Sequence, residues 1–298
     1  MENMEKFLKL ILSAQPGQII PLVREIDIHC PVEFFAKLSD YGRKKHCCLF
    51  ESRDHLDAEG ADELTFGTAN PALYLTGSAE TFYIEALSET GRRMIAFLAK
   101  NKSRFAFCET VSFSDSRITG KIKISHQNID EQSRLKSTNQ MDVLRAVTFA
   151  FSLAGKPFRV TCGLLGALSY DFIDQFEQLP PNQSDILQNP DYELYFADNM
   201  FLLDHRDNKG YILVNAVITD NNREQILRKA LDTFEYYEKI AQTPPPTPQK
   251  YTPPQTEIDT DTPQPQYEQM VKTAKQHIID GDIFQVVLSR TITAPCPA

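Results

Sequence analysis

Tryptophan is absent from the 298 residues, and so is any run of lysine or arginine. A nucleic-acid partner needs a clustered basic footprint, and a net charge of −9 without one argues against such a partner. No apolar stretch approaches the roughly 20 residues a helix needs to cross a bilayer, so no membrane span is expected. The start, Met1-Glu2-Asn3-Met4-Glu5-Lys6, carries acid ahead of Phe7-Leu8, and no small-residue cleavage site follows a long apolar core. It does not read as a secretory signal, which leaves a cytoplasmic location as the default. Cys30, Cys47, Cys48, Cys108, Cys162 and Cys296 form no Cys-x-x-Cys pair, and no histidine stands at zinc-ligand spacing from two of them. Buried free thiols in a reducing compartment are expected. Cys47 and Cys48 would alternate faces of a strand, which suits packing and not a shared ligand set. There is no Walker or dinucleotide glycine pattern and no internal repeat.

What the chain does have is core-forming capacity, at 42% hydrophobic and 10% aromatic residues. Residues 18–30 read as an extended entry strand, and Pro31–Leu38 as a helix with proline in its first turn. Cys47–Ser52 is a short buried strand leading into a polar loop, Arg53–Asp62. Leu73–Gly77 and Thr81–Ala86 form a hairpin, and Gly91–Asn101 is helical by pattern. The spacing predicts a helix from Asp142 to Leu153, stopped by Gly155 and Pro157. Gly163–Asp171 is apolar and punctuated by glycines at 163 and 166, whose role reads as close backbone packing and not phosphate binding. Glu193–Asp204 and Tyr211–Val217 read as two strands joined at Arg206–Gly210. Asn222–Ala241 is an amphipathic helix with Ile226, Ala230, Leu231, Phe234 and Tyr237 on one face.

Thr243–Pro265 changes character, being rich in proline, threonine and glutamine with little to bury. It predicts a semi-rigid exposed linker between an amino-terminal domain at 1–242 and a further segment at 266–298. In that segment Tyr267, Met270, Val271, Ala274 and Ile278 keep helical spacing as far as Gly281. Ile283–Arg290 then reads as a strand that is apolar on both faces and needs sheet partners on each edge. His277 is expected on the helix surface. Hairpins dominate without regular strand–helix alternation, which predicts an α+β class built on antiparallel strands.

Three segments resemble component I of anthranilate synthase, within the chorismate-utilising enzyme family. Leu49-Phe50-Glu51-Ser52 looks like the Leu-Leu-Glu-Ser motif of that family's tryptophan feedback site. Gly163-x-x-Gly166-x-x-Ser169-Tyr170-Asp171, followed by Phe176-Glu177-x-Leu179-Pro180, is similar to a second family segment. Ile279-Asp280-Gly281-Asp282-Ile283-Phe284-Gln285-Val286-Val287-Leu288-Ser289-Arg290 resembles the opening of the chorismate-binding catalytic domain. By this resemblance the chain is the amino-terminal regulatory domain of a large subunit, with the catalytic domain reaching only its first helix and strand.

The resemblance implies a lyase of tryptophan biosynthesis that aminates chorismate and eliminates pyruvate to give anthranilate. It implies Mg2+, whose ligands and most chorismate contacts would lie outside these residues, and a glutamine amidotransferase subunit as ammonia source. The chain alone is expected to be inactive. Family members that add water resemble one another in carrying a lysine where this sequence has Gln285, and an amide can position ammonia but cannot act as a base at neutral pH. Ser52, with Glu51 and Phe50, is the implied allosteric site for L-tryptophan as inhibitor. The family's usual cation a few residues later is missing, since Leu56–Phe66 contains no lysine or arginine. The other open readings are component I of aminodeoxychorismate synthase, and a non-catalytic amino-acid-binding or docking module.

Overall fold

The computed structural model describes residues 2–51, 64–123, 137–177, 188–220, 222–244 and 257–295. It falls into two units, Met1–Pro245 and Pro246–Ala298.

The first unit holds two six-stranded sheets. One runs β2 (Cys48–Glu51), β3 (Leu64–Thr68), β11 (Asn199–Asp204), β12 (Lys209–Val217), β1 (Gln18–Ile26), β8 (Ser152–Leu153). The other runs β6 (Cys108–Phe113), β7 (Arg117–Ile122), β5 (Thr81–Ala86), β4 (Leu73–Ser78), β10 (Tyr192–Ala197), β9 (Gly163–Leu168). Every neighbouring pair is antiparallel except β1 with β8. This is the α+β, antiparallel-rich class that the dominance of hairpins predicts.

Helices cover one face of each sheet. Against the first sheet lie α1 (Glu2–Ser13), α2 (Pro31–Leu38) and α5 (Arg223–Gln242), with Ile11, Leu38, Phe234 and Tyr237 packed on Leu22, Phe201 and Ile212. Against the second lie α3 (Glu89–Lys100) and α4 (Gln140–Thr148), with Met94, Ile95, Val143 and Val147 on Leu75, Phe82 and Ile84. Sequence signals set the helix starts. Pro31 occupies the first turn of α2, Ser88 Oγ accepts from the Gly91 amide, and Asn139 with Asp142 forms a capping box. On α5 the expected stripe is present, with Ile226, Ala230, Phe234 and Tyr237 buried and Leu231 half-buried.

Several expectations are corrected. The helix over 142–153 starts at Gln140 and ends at Thr148, and Ser152–Leu153 instead pairs in parallel with Gln18–Ile19. The Ser152 and Ala154 amides donate to Gly17 and Ile19 carbonyls at 2.8 Å, so a sheet edge supplies the partners a longer helix would have supplied. The apolar run at 193–204 is not one strand. Asp198 divides it, so that β10 lies in the second sheet and β11 in the first. Of the expected buried strand, Cys47–Phe50 is half-buried and Glu51 exposed, and Cys30 is exposed. Cys47 does lean on the helical side of its sheet while Cys48 faces away, and no disulfide joins the described cysteines.

In the second unit α6 (Gln264–Asp280) starts two residues ahead of the expected boundary, with Pro265 in its first turn, and ends at Gly281 in the left-handed region (φ 82°). Ile283–Arg290 does not form a strand. Among the described residues it has no ladder partner, and the short β13 (Asp259–Thr260) pairs with β14 (Ile292–Thr293) instead. A strand is defined by its neighbour, and none of the described segments offers an edge to this one.

Candidate functional site

Two segments that the sequence singles out meet where the sheets approach each other. In β2, Phe50 stands opposite Phe66, and the two rings stack at 5.3 Å and 19°. This face of the first sheet turns away from the helices and carries Met200, Leu202 and Leu213, against which Phe66 and Leu165 pack. Leu165 belongs to β9 of the second sheet, so Phe50, through its contact with Phe66, and Leu165 reach one apolar seam from the two segments, while Leu49 packs on the helical side. Gly166 makes this possible: a Cβ there would lie 2.1 Å from the Glu193 carbonyl oxygen. Gly163 has open space instead, so the close-packing reading holds for Gly166 and not for Gly163.

Strand alternation separates the remaining proposed residues. Glu51 is exposed and opposite Thr65, on the face away from Phe50. Thr65 Oγ1 lies 2.8 Å from His205 Nε2. Ser52 lies outside the described residues, as does the polar loop to Asp62. Tyr170, in the short 3-10 turn Tyr170–Gln175, is 88% exposed.

Sequence reasoning missed the polar wall beside the seam. Register places Tyr195 of β10 against Tyr74 of β4, and their rings stack at 5.5 Å. Both hydroxyls donate to Glu193, at 3.3 and 3.0 Å, and the His46 ring leans on both tyrosines. Burial raises both phenols, and the Glu193 carboxylate raises them further. Cys48 belongs to the same surroundings, with burial pushing its thiol up to about 11. Glu193 and Tyr195 alternate along one strand, but only strand order brings Tyr74 beside them.

A cavity of about 720 Å³ opens at the point where the chain passes between sheets. Lys44, Lys45, His46, Asp198, Lys229 and Tyr236 are among the residues that line it. Asp198 is buried, and desolvation pushes its carboxyl up to about 7, against hydrogen bonds from Asn199 and Thr90 and the charge of Lys229.

In the second unit Gln285 is exposed within the unpaired segment, beside Phe284 at 93% exposure. His277 is on the helix surface as expected, but with a partner, its Nδ1 lying 2.7 Å from Asp282 Oδ2. No group of three or more His, Cys, Asp or Glu side chains among the described residues is placed to hold a metal ion. No helix among the described residues is long and apolar enough to cross a membrane.

Fold and seam together define an α+β protein whose two largely antiparallel sheets meet at an apolar seam. The family model for chorismate binding enzymes matches residues 97–298, more than half of the chain, and the chain belongs to that family. It is 28% identical over 223 residues to anthranilate synthase component 1 of Vibrio parahaemolyticus serotype O3:K6, covering 73% of this chain and 39% of the relative. It is 29% identical to that of Buchnera aphidicola subsp. Pemphigus spyrothecae over 89% of this chain and 49% of the relative. With that of Escherichia coli K12 the identity is 26%, over 90% and 49%. Among solved structures, anthranilate synthase component I from Streptococcus pneumoniae TIGR4 aligns with a TM-score of 0.47 and 16% identity, over 86% of this chain and 46% of that one. The chain thus spans less than half the length of these relatives.

Proposed function

We propose that the protein acts as the large subunit of an anthranilate synthase: chorismate is aminated with ammonia, pyruvate is eliminated, and anthranilate is released. The observation that carries this reading is the family match across 97–298, joined to relatives that are each an anthranilate synthase component 1. Mg2+ and a glutamine amidotransferase subunit supplying ammonia belong to the same proposal. Gln285 is proposed to orient ammonia, because an amide both donates and accepts hydrogen bonds without acting as a base at neutral pH. The full-length gene product, given chorismate, ammonium and magnesium, is expected to release fluorescent anthranilate. Accumulation of 4-amino-4-deoxychorismate instead would transfer the protein to the aminodeoxychorismate reading. The 298-residue chain by itself is expected to give neither product, since Gln285 stands in a segment that is exposed and has no ladder partner among the described residues. Turnover by that chain would overturn its role as a part of the enzyme.

Tryptophan feedback through Ser52, Glu51 and Phe50 is the second part of the proposal. What supports it is Phe50: its ring stacks on Phe66, which packs in the seam with Leu165 of the second sheet, where a flat ligand would act on both sheets. The parts of Glu51, on the opposite face, and of Ser52 rest on the resemblance. A charge-assisted hydrogen bond to the ligand ammonium contributes about 1.5–3 kcal/mol, comparable with typical coupling between sites of about 1–3 kcal/mol. Ser52→Phe in the full-length enzyme is expected to raise the tryptophan concentration for half-inhibition about tenfold or more, with kcat little changed. An unaltered inhibition curve would remove Ser52 from the site.

A further inference from the structure

The cavity at Asp198 is assembled by a loop, a sheet crossing and a helix, and its lining departs from the rest of the molecule. The chain carries a net charge of −9, yet this cavity has three ammonium groups, Lys44, Lys45 and Lys229, against two carboxylates, Asp198 and Asp232. Nearby Lys37 and Arg43 form ion pairs with Glu33 and Asp40. Among the described residues, Lys44, Lys45 and Lys229 form none. Lys44 is held in place without a counter-ion, donating to Tyr236 Oη at 3.0 Å and Asn70 Oδ1 at 3.4 Å.

The loop that delivers two of these lysines is costly to build. Asp40, Tyr41 and His46 all adopt left-handed backbone, with φ of 50°, 53° and 57°. Non-glycine residues hold that conformation only where the surroundings over-determine it, and such strain gathers at binding sites. His46 is pinned by Tyr74 and Tyr195, and its buried Nδ1 has no hydrogen-bond partner among the described residues. The volume suits a small molecule, and the Tyr236 ring, Pro71 and Leu87 add apolar wall.

We propose that this cavity is a binding site for a small organic oxyanion, a carboxylate or phosphate, gripped by Lys44, Lys45 and Lys229. The proposal is independent of the activity argued above. Titration calorimetry of the chain in low-salt buffer, with citrate and with inorganic phosphate, tests it. One saturable site is expected, and either order of preference supports the site and names its chemistry. Lys229→Ala is expected to weaken binding about tenfold, the loss of one charge-assisted contact. Asp232→Asn, on the same exposed helix face, is expected to tighten it, an outcome that misfolding cannot imitate. Lys239→Ala, on α5 but outside the cavity lining, serves as control and is expected to leave affinity unchanged. Absence of saturable binding to both anions, or equal losses in Lys229→Ala and Lys239→Ala, would overturn the proposal.

Discussion

Gly166→Ala is expected to lower the thermal midpoint of the first unit by roughly 10 °C or more, corresponding to about 3–5 kcal/mol. Two penalties combine at this position. A Cβ would sit 2.1 Å from the Glu193 carbonyl oxygen and 3.0 Å from the Leu194 Cα, both backbone atoms of the paired strand. The backbone angle, φ +152°, is also one that side-chain-bearing residues rarely adopt. Relief requires β9 to part from β10, which withdraws Leu165 from the seam beneath Phe66. Gly163→Ala provides the comparison: its φ is +144° but a Cβ there meets nothing within 4 Å. Its loss is expected to be that of backbone strain alone, about 1–3 kcal/mol. Thermal unfolding of both variants followed by circular dichroism decides it. Equal losses at the two positions would show that close packing at Gly166 contributes nothing beyond strain.

Asp198→Asn is expected to stabilise the protein at pH 8 and to leave it nearly unchanged near pH 4. Burial raises the folded carboxyl from its ordinary 3.8 to about 7. Between those values the unfolded chain releases the proton while the folded protein keeps it. Stability from this group is therefore greatest at or below pH 3.8, falls as pH rises through the window, and is constant above about 7. The full difference is on the order of 4 kcal/mol as an upper bound. Subtracting the variant's stability from that of the wild type at each pH cancels the other titrating groups. A difference that does not change between pH 4 and pH 8 would place the Asp198 carboxyl in contact with water. The Asn215 amide, which donates to the Asp198 carbonyl at 2.7 Å, is retained by the substitution, as is an acceptor for Asn199 Nδ2.

Much of the local structure is legible because it rests on neighbours in sequence. Pro31 and the 3–4 spacing behind it give α2; the apolar stripe of α5 and the Gly281 stop of α6 are equally local. The hairpin from Leu73 to Ala86 needs only a short turn, where Ala79 takes φ 50°. Beyond that range the reading weakens for definite reasons. Leu194 and Phe196 before Asp198, and Phe201 and Leu203 after it, are all apolar and buried, so nothing in the pattern marks the change of sheet. Ile283–Arg290 is apolar enough for a strand, but apolarity supplies no hydrogen-bond partner. Of the candidate site, Phe50 and the Gly163–Leu168 segment were singled out separately, and their contact with one seam was not.

Composition and periodicity by themselves determined the α+β class, most helix boundaries and the main hairpins; the resemblance to chorismate-utilising enzymes rests on the motifs at 49–52, 163–180 and 279–290. These follow from side-chain spacing and turn residues within a few positions of one another. Only the tertiary structure decided strand order, the division at Asp198, the Tyr74–Tyr195–Glu193 wall and the lysine-lined cavity. Each of those joins residues far apart in the chain through backbone pairing and desolvation, and neither quantity exists until the two sheets have met.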